Sequence, residues 1–159
     1  MKIGIISDTH DHRNYVKKAM EIFSNEGCSW VLHAGDYVAP FIIEDMKKFK
    51  FSFIGVFGNN DGEKEGLINA VSGFGQIEPS PYSFILNDKK FLLMHKPLKL
   101  EEKIGEYQII IYGHTHKGLV EKKGNSLIIN PGEACGWLFN QPSIAILDME
   151  NEEVVIIEL

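Results

Sequence analysis

The chain carries the stretch Ile-Ile-Ile-Tyr-Gly-His-Thr-His at residues 109–116. An unbroken aliphatic run of this kind is typical of a buried strand, because both of its faces contact apolar neighbours. This strand would end at Gly113 and deliver two imidazoles, His114 and His116, on alternate residues. Imidazole is a common metal ligand, yet a His-x-His pair alone fits a hydrogen-bonded turn almost as well. The rest of the chain has to decide between the two interpretations.

Four other apolar runs end in the same way. Each is followed within a few positions by polar side chains of the types that bind metals: Asp8 and His10, Asp36, Asn59 to Asp61, and His95. In the first half of the chain, each short strand leads through such a loop into a segment with helical spacing. This alternation indicates parallel strands, whose functional loops lie at their carboxyl ends.

The two halves of the sequence differ in pattern. Helical segments are predicted at about 13–24, 41–49 and 63–71, whereas residues 76–159 read mainly as strands joined by turns, with one brief helix around 98–104. The second half is therefore expected to be mostly antiparallel. A half of parallel strands joined to a half rich in hairpins predicts an α/β fold. We expect two mixed β-sheets packed face to face with helices on the outside, a four-layer αββα sandwich.

Length and composition favour one domain over residues 1–159. Of the 159 residues, 44% are hydrophobic, which suffices for a sizeable core. No apolar run approaches the roughly 20 residues that cross a bilayer, and no targeting leader is recognisable. Cys28 and Cys135 fit neither a disulfide framework nor paired zinc spacing, so reduced thiols are expected. These features predict a cytoplasmic protein with no membrane partner.

Charge limits the class of substrate. The formal net charge is −6 at pH 7, and the lysines form no dense run. A long nucleic acid is therefore not expected as a partner. A small anionic substrate is compatible with this charge, because divalent ions in a pocket reverse the local potential.

The polar strand ends offer a mixed set of metal ligands. They comprise carboxylates, an amide oxygen and imidazoles, and no thiolate: Asp8, His10, Asp36, Asn59, His95, His114 and His116. Such a set suits transition metals and disfavours Ca²⁺. Seven side chains exceed what one ion normally takes, so two ions per chain are predicted, with Asp36 as the natural bridge. Mn²⁺ or Ni²⁺ is preferred, with Fe²⁺, Co²⁺ or Zn²⁺ as alternatives. Two such ions about 3.5–4 Å apart support phosphoester hydrolysis.

The ordered series Asp-x-His, Gly-Asp, Gly-Asn-x-Asp, a single His and Gly-His-Thr-His resembles the calcineurin-like metallophosphoesterase superfamily. Within it, the chain resembles in particular the small single-domain prokaryotic phosphodiesterases, and the likeness extends from Asp8 to the stretch 130–132. The resemblance implies a first ion held by Asp8, His10 and His116. It implies a second ion held by Asn59, His95 and His114, with Asp36 bridging. It also implies the two-sheet sandwich and hydrolysis of a small phosphodiester, through in-line attack by a hydroxide held between the ions.

The chain departs from many phosphatases of that superfamily at one position. Those enzymes place a His directly after the motif Asn, where it protonates the leaving oxygen, but this chain has Asn60. An amide donates a hydrogen bond and supplies no proton at neutral pH. Asn60 is thus expected to bind substrate, and activated or labile phosphodiesters are expected to be favoured over alkyl monoesters. His12 is the remaining candidate to donate a proton or contact the phosphate; the alternative is a solvated histidine at a helix start.

Several neighbouring residues have a structural interpretation beside the functional one. His33 is expected in the core or behind a ligand, Asp11 or Asn14 as the cap of the first helix, and Asp61 either fixing the Asn59 loop or in a turn. Glu133 replaces the small residue that the resemblance favours, and it would put a negative charge near the substrate. The apolar residues 137–139 stand in a Gly-rich loop that fits a lid or a contact between copies in a homo-oligomer.

Two alternatives to a phosphodiesterase stay open. The retromer complex contains a subunit of the same fold with a degraded metal site, which acts mainly as a protein-binding scaffold. A scaffold has no need of all seven ligands, and this chain retains them. A phosphomonoesterase or pyrophosphatase would use the same two-metal site, since the ligands do not specify what is attached to the phosphorus.

Overall fold

The computed structural model describes residues 1–159 as eleven strands and four helices. The strands are Lys2–Ile6 (β1), Cys28–His33 (β2), Ser52–Val56 (β3), Gly75–Glu78 (β4), Tyr82–Leu86 (β5), Lys89–Met94 (β6), Ile109–Tyr112 (β7), Leu119–Lys123 (β8), Ser126–Asn130 (β9), Ser143–Asp148 (β10) and Glu153–Glu158 (β11). The helices are Arg13–Asn25 (α1), Phe41–Met46 (α2), Lys64–Val71 (α3) and Leu100–Lys103 (α4). None of these helices has the length and apolar character of a membrane span.

The strands form two mixed sheets, as predicted. The first sheet has six strands in the order β11-β10-β1-β2-β3-β4, and the second has five in the order β5-β6-β7-β9-β8. In the first sheet β1 to β4 are parallel, while β10 runs antiparallel to β1. The final hairpin of the chain therefore returns to extend the sheet in which the chain began.

The expectation of a mostly antiparallel second half is only partly right. The three central strands of the second sheet, β6, β7 and β9, pair in parallel, and only its edges are antiparallel. A parallel pair needs a connection of a dozen or more residues. The segment from Met94 to Ile109 provides one through α4, and β8 lies within the other. The sequence predicted a short helix here, but it did not show how the strands on either side of that helix pair.

The main apolar layer lies between the two sheets. Alternate residues of the strands point into it, among them Ile5, Leu32 and Val56 from the first sheet and Leu93 and Ile111 from the second. On the outer face of the first sheet, helices α1, α2 and α3 complete a second layer of packing. A smaller cluster beneath α4 covers the outer face of the second sheet. This is the αββα order that the sequence pattern predicted.

Candidate metal centre

The loops that follow β1, β2, β3, β6 and β7 meet at one end of the sandwich and bring the predicted ligands together. The Nε2 atom of His10 lies 3.5 Å from Oδ2 of Asp36, and Nε2 of His95 lies 3.4 Å from the same oxygen. The Nε2 atom of His116 lies 3.3 Å from Oδ1 of Asp8. Side chains from both sheets therefore face a common point.

The side chains form two groups on either side of Asp36. On one side, the rings of His10 and His116 stack at a centroid distance of 5.6 Å beside Asp8. On the other side, Oδ1 of Asn59 is 3.1 Å from Nε2 of His95. The ring of His114 meets that of His95 edge to face at 5.0 Å. The structure thus assembles all seven predicted residues, with Asp36 in the middle.

Two buried polar atoms of this cluster have no hydrogen-bond partner. They are Oδ1 of Asp8 and Nε2 of His10, which lie 4.0 Å apart. A buried polar atom left without a partner costs about 1–3 kcal/mol, so it calls for an explanation. A divalent cation would satisfy both atoms, and imidazole with carboxylate is a donor pair that transition metals accept. The residues present therefore fit a metal centre.

The backbone at the predicted ligands is strained. Five of them adopt the left-handed region, with φ values of 52°, 39°, 61°, 63° and 60° at Asp8, His10, Asp36, His114 and His116. Residues other than glycine seldom adopt this region, and such outliers cluster at functional sites. The strain indicates that the positions of these side chains, more than local backbone preference, determine the loop conformations.

Two glycines allow the loops to approach each other closely. A Cβ atom at Gly113 would collide with Oγ of Ser7 and lie 2.7 Å from Oδ2 of Asp8, and one at Gly58 would collide with the carboxylate of Asp36. Only glycine provides this space. The glycines of the Gly-His-Thr-His and Gly-Asn motifs are therefore required by the packing of the centre itself.

The electrostatics favour an ionised Asp36 and a neutral His114. Burial would raise the pKa of Asp36, but hydrogen bonds with His95 and Asn60 lower it well below its usual value. Burial and the neighbouring His95 lower the pKa of His114. Burial raises the pKa of Asp8, and the contacts with Ser7 and His116 offset this rise only in part. Metal ligands must be deprotonated, so Asp36 and His114 already favour the required forms.

Asn60 and Asp61 hold the Asp36 loop. The Asn60 backbone N–H donates to Oδ1 of Asp36 at 2.9 Å, and its side-chain Nδ2 donates to Oδ2 at 2.7 Å. The Asp61 carboxylate accepts from the N–H groups of Asp36, Val38 and Gly58 at 3.1, 2.8 and 2.7 Å. Of the two interpretations of Asp61, the loop-fixing one is confirmed. Its carboxylate joins the loop after β2 to the loop after β3.

His33 is a core residue, as predicted. It is fully buried, stacks on Tyr37 at 3.7 Å and accepts a hydrogen bond from the Gly35 N–H at 3.1 Å. Its Nε2 lies 3.2 Å from Oγ1 of Thr9. Burial lowers the pKa of His33 well below its ordinary value, so the ring is neutral and supports the loops after β1 and β2.

Glu133, expected to put a negative charge near the substrate, is instead buried against His116. Its side chain is fully buried, with Oε2 2.8 Å from Nδ1 of His116. The carboxylate also accepts from the N–H groups of Leu138 and Phe139. Burial would raise its pKa, but these N–H groups and His116 lower it, so Glu133 is ionised. This pairing could not be predicted from the sequence, because His116 lies on a different loop.

The cap of α1 is His12, so the prediction of Asp11 or Asn14 was wrong. The Tyr15 N–H donates to Nδ1 of His12 at 3.4 Å, and the two rings stack at 4.3 Å. Asp11 has a φ of 58°, and its Oδ1 accepts from the Ala39 N–H at 2.9 Å. The left-handed backbone turns this carboxylate away from α1. His12 therefore has the helix-start role, while its Nε2 makes no hydrogen bond to the protein.

Cys135 lies beside the centre. Its Sγ and the ligand atoms of His10 and His116 all lie within 4.8 Å of one another. Burial raises the pKa of this thiol to about 12. A protonated thiol is a poor ligand and a poor nucleophile, so Cys135 fills space behind the centre.

Comparison with known families identifies the fold. Residues 1–152 match the family model described as the calcineurin-like phosphoesterase superfamily domain. The chain belongs to this superfamily. The predicted metallophosphoesterase is thereby confirmed, and the family implies divalent metal ions.

Relatives of this phosphoesterase include named phosphodiesterases. Phosphodiesterase MJ0936 of Methanocaldococcus jannaschii is 41% identical over 159 positions, covering 96% of each chain. Phosphodiesterase YfcE of Escherichia coli K12 is 25% identical over 148 positions, covering 83% of this chain and 78% of that one. The solved structure of an archaeal phosphodiesterase superposes with a TM-score of 0.94 over 100% of both chains, at 41% identity. Vps29 of Entamoeba histolytica superposes with a TM-score of 0.72 over 100% of this chain and 99% of its own, at 17% identity, which shows a shared fold.

Replacing Asp61, whose carboxylate joins the loops after β2 and β3, should destabilise the phosphoesterase. Asp61→Asn retains one acceptor oxygen but turns amide hydrogens toward backbone N–H groups. We expect a loss of about 1–3 kcal/mol in the free energy of unfolding, measured by urea denaturation. Asp88→Asn, in an exposed turn, is the matched control and should change little. Equal stability of the two variants would contradict a stabilising role for Asp61.

Proposed function

We propose that this phosphoesterase is a metal-dependent phosphodiesterase acting on a small phosphodiester. The observation that carries the proposal is the position of Asp36, whose carboxylate lies 3.5 Å from the His10 imidazole and 3.4 Å from the His95 imidazole. A carboxylate between two groups of carboxylate, amide and imidazole ligands suits two cations. The names of the relatives MJ0936 and YfcE support a diester as the substrate.

The proposed ligand assignment follows the two groups of side chains. The first ion would be held by Asp8, His10 and His116, the second by Asn59, His95 and His114, and Asp36 would bind both. The donor set suits divalent transition metals, and we propose Mn²⁺ or Ni²⁺, with Fe²⁺, Co²⁺ or Zn²⁺ as alternatives. When bound, two such ions supply an activated water and neutralise charge on the phosphoryl group, as in-line displacement requires.

The proposed role of the protein's own residues is to orient Asp36 and to polarise the phosphoryl group. Asn60 fixes the orientation of Asp36 through two hydrogen bonds. An amide nitrogen carries two hydrogens, so the second is free to donate to a phosphoryl oxygen. Asn60 supplies no proton to the leaving oxygen. The proposed enzyme therefore favours diesters whose leaving group departs without protonation.

We also propose that residues 1–159 act as one domain. The layer between the sheets contains residues from Ile3 to Met149, and the centre contains residues from Asp8 to Glu133. Separating the first half of the chain from the second would expose this layer and divide the ligands. The small substrate would thus meet ligands from both sheets.

The function is tested by hydrolysis of a bis-aryl phosphodiester against an aryl monoester. The stripped protein would be reloaded with Mn²⁺, Ni²⁺, Mg²⁺ or Zn²⁺ in turn. We expect the diester to be preferred, with Mn²⁺ or Ni²⁺ most active. Loss of an outer-shell partner alone typically costs about 10–100-fold, so Asp36→Asn, which removes a direct ligand, should lower kcat/KM by roughly 100-fold or more. Asp88→Asn should not.

Two outcomes would contradict the proposal. Inactivity with every ion, in protein shown to have bound metal, would favour a protein-binding scaffold. A higher kcat/KM for the monoester would favour a phosphomonoesterase or pyrophosphatase.

Glu133 should strengthen metal binding by fixing the His116 ring. Its carboxylate accepts from Nδ1 of His116, which leaves Nε2 free to face Asp8. Glu133→Gln should weaken Mn²⁺ binding by about 10–100-fold, measured by calorimetry, because the ring loses its fixed tautomer and orientation. Glu65→Gln, on the exposed side of α3, is the control. Unchanged Mn²⁺ affinity in Glu133→Gln would remove Glu133 from the metal centre.

His12 is proposed to donate a proton or contact the phosphate through its Nε2 atom. His12→Asn retains a side chain that caps helices, whereas His12→Ala loses both functions. We expect both variants to lose about 10²-fold or more in kcat/KM for diesters with poor leaving groups, and far less for activated ones. The pH profile on the poor substrate should also change. Unaltered kinetics in His12→Asn would leave His12 with only its capping role.

A further inference from the structure

A cavity of about 220 Å³ opens directly beside the candidate metal centre. Two of its lining residues, Asn59 and His95, belong to the second group of proposed ligands. Its inner wall is formed by buried side chains from β6 and from the loop after β3, namely Phe57, Leu92 and Met94. The cavity is therefore an apolar extension of the centre on one side.

The polar residues that line this cavity include no acid. Beside Asn59 and His95 they are Lys96, Lys103 and Ser80, whose hydroxyl accepts from the His95 N–H. Lys103 is 3.8 Å from Glu106, whereas Lys96 is exposed and pairs with no carboxylate. A rim of donors beside an apolar wall favours an anionic or carbonyl-bearing molecule with an apolar body.

We propose that this cavity, defined here as the ester pocket, receives an aromatic ester group of the phosphodiester while the phosphoryl group lies at Asp36. The inference rests on the proposed function. Asn59 and His95 line both spaces, so a group attached to a phosphorus at Asp36 would lie next to the pocket. An apolar cavity of about 150 Å³ is known to hold benzene, so the size of the pocket admits a six-membered ring.

The chemistry of the wall favours an aromatic ring over an alkyl chain. Phe57 offers a ring for offset or edge contacts, and the thioether of Met94 makes favourable contacts with aromatic rings. Lys96 at the rim complements the negative charge that the phosphodiester carries beside the ring. The substrate class is thus an aryl or nucleobase phosphodiester, not a dialkyl one.

The test compares phenylphosphonate with methylphosphonate binding to the Mn²⁺-loaded protein by calorimetry. Both probes carry the same phosphonate, so their affinity ratio reports the pocket independently of turnover. We expect phenylphosphonate to bind about tenfold or more tightly, in line with the burial of an apolar ring. The same comparison between uridine 5′-monophosphate and ribose 5-phosphate distinguishes a nucleobase from a smaller aryl group.

Two variants of the pocket should reduce the ratio of phenylphosphonate affinity to methylphosphonate affinity. Leu92→Phe fills the pocket from within, and Leu98→Asn removes an apolar side chain at its mouth, where Leu98 is 71% exposed. Ile85→Asn, 75% exposed and outside the pocket, is the control. Thermal unfolding of each variant establishes that it is folded. A ratio that falls in Leu98→Asn or Leu92→Phe and stays unchanged in Ile85→Asn supports the ester pocket.

The pocket and the proposed function fail in different ways. Equal affinity for the two phosphonates, with diester hydrolysis intact, would contradict the ester pocket but not the proposed phosphodiesterase activity. A high phenyl-to-methyl ratio without hydrolysis supports the pocket and counts against the enzyme. Absence of binding by either phosphonate to the metal-loaded protein overturns both.

Discussion

Two buried carboxylates, Asp8 and Asp36, are the constraint on which the rest of this structure depends. They follow adjacent parallel strands and are 0% and 1% exposed. Burying anions costs several kcal/mol unless charges or donors compensate. Ser7 and the His114 N–H donate to Asp8, and Asn60 donates to Asp36. One oxygen of Asp8 still has no partner, so the fold supplies donors and geometry but leaves a cation to complete the compensation.

Rigid strands and buried polar cross-links together make the site well defined although it consists of loops. The strands fix where each loop begins, and three buried side chains then join loops in pairs. Asp61 joins the loops after β2 and β3, His33 those after β1 and β2, and Glu133 fixes the His116 ring to the segment containing Leu138. Each cross-link satisfies backbone or ring N–H groups that would otherwise be buried unpaired. The strained backbone at the predicted ligands persists because these contacts determine it.

The sequence revealed the parts of this arrangement that depend on local pattern. Aliphatic runs such as Ile109 to Tyr112 mark buried strands, and the polar residues that end them are visible without knowledge of the fold. Pairing was not visible, since the parallel contact of β6 with β7 depends on the path of the connection between them. The partner of Glu133 was hidden for the same reason. The cap of α1 was missed because a positive φ at Asp11 redirects its side chain, and neither propensity nor spacing reports that.

The central claim is that loops from both sheets hold two cations on either side of Asp36. A crystal structure of the protein grown with Mn²⁺, with anomalous diffraction measured at the manganese edge, tests it most directly. The account predicts two anomalous peaks about 3.5–4 Å apart, with one oxygen of Asp36 directed at each. A single peak outside the cluster, or Asp8, Asp36 and His116 directed away from one another with no peak between them, would contradict it.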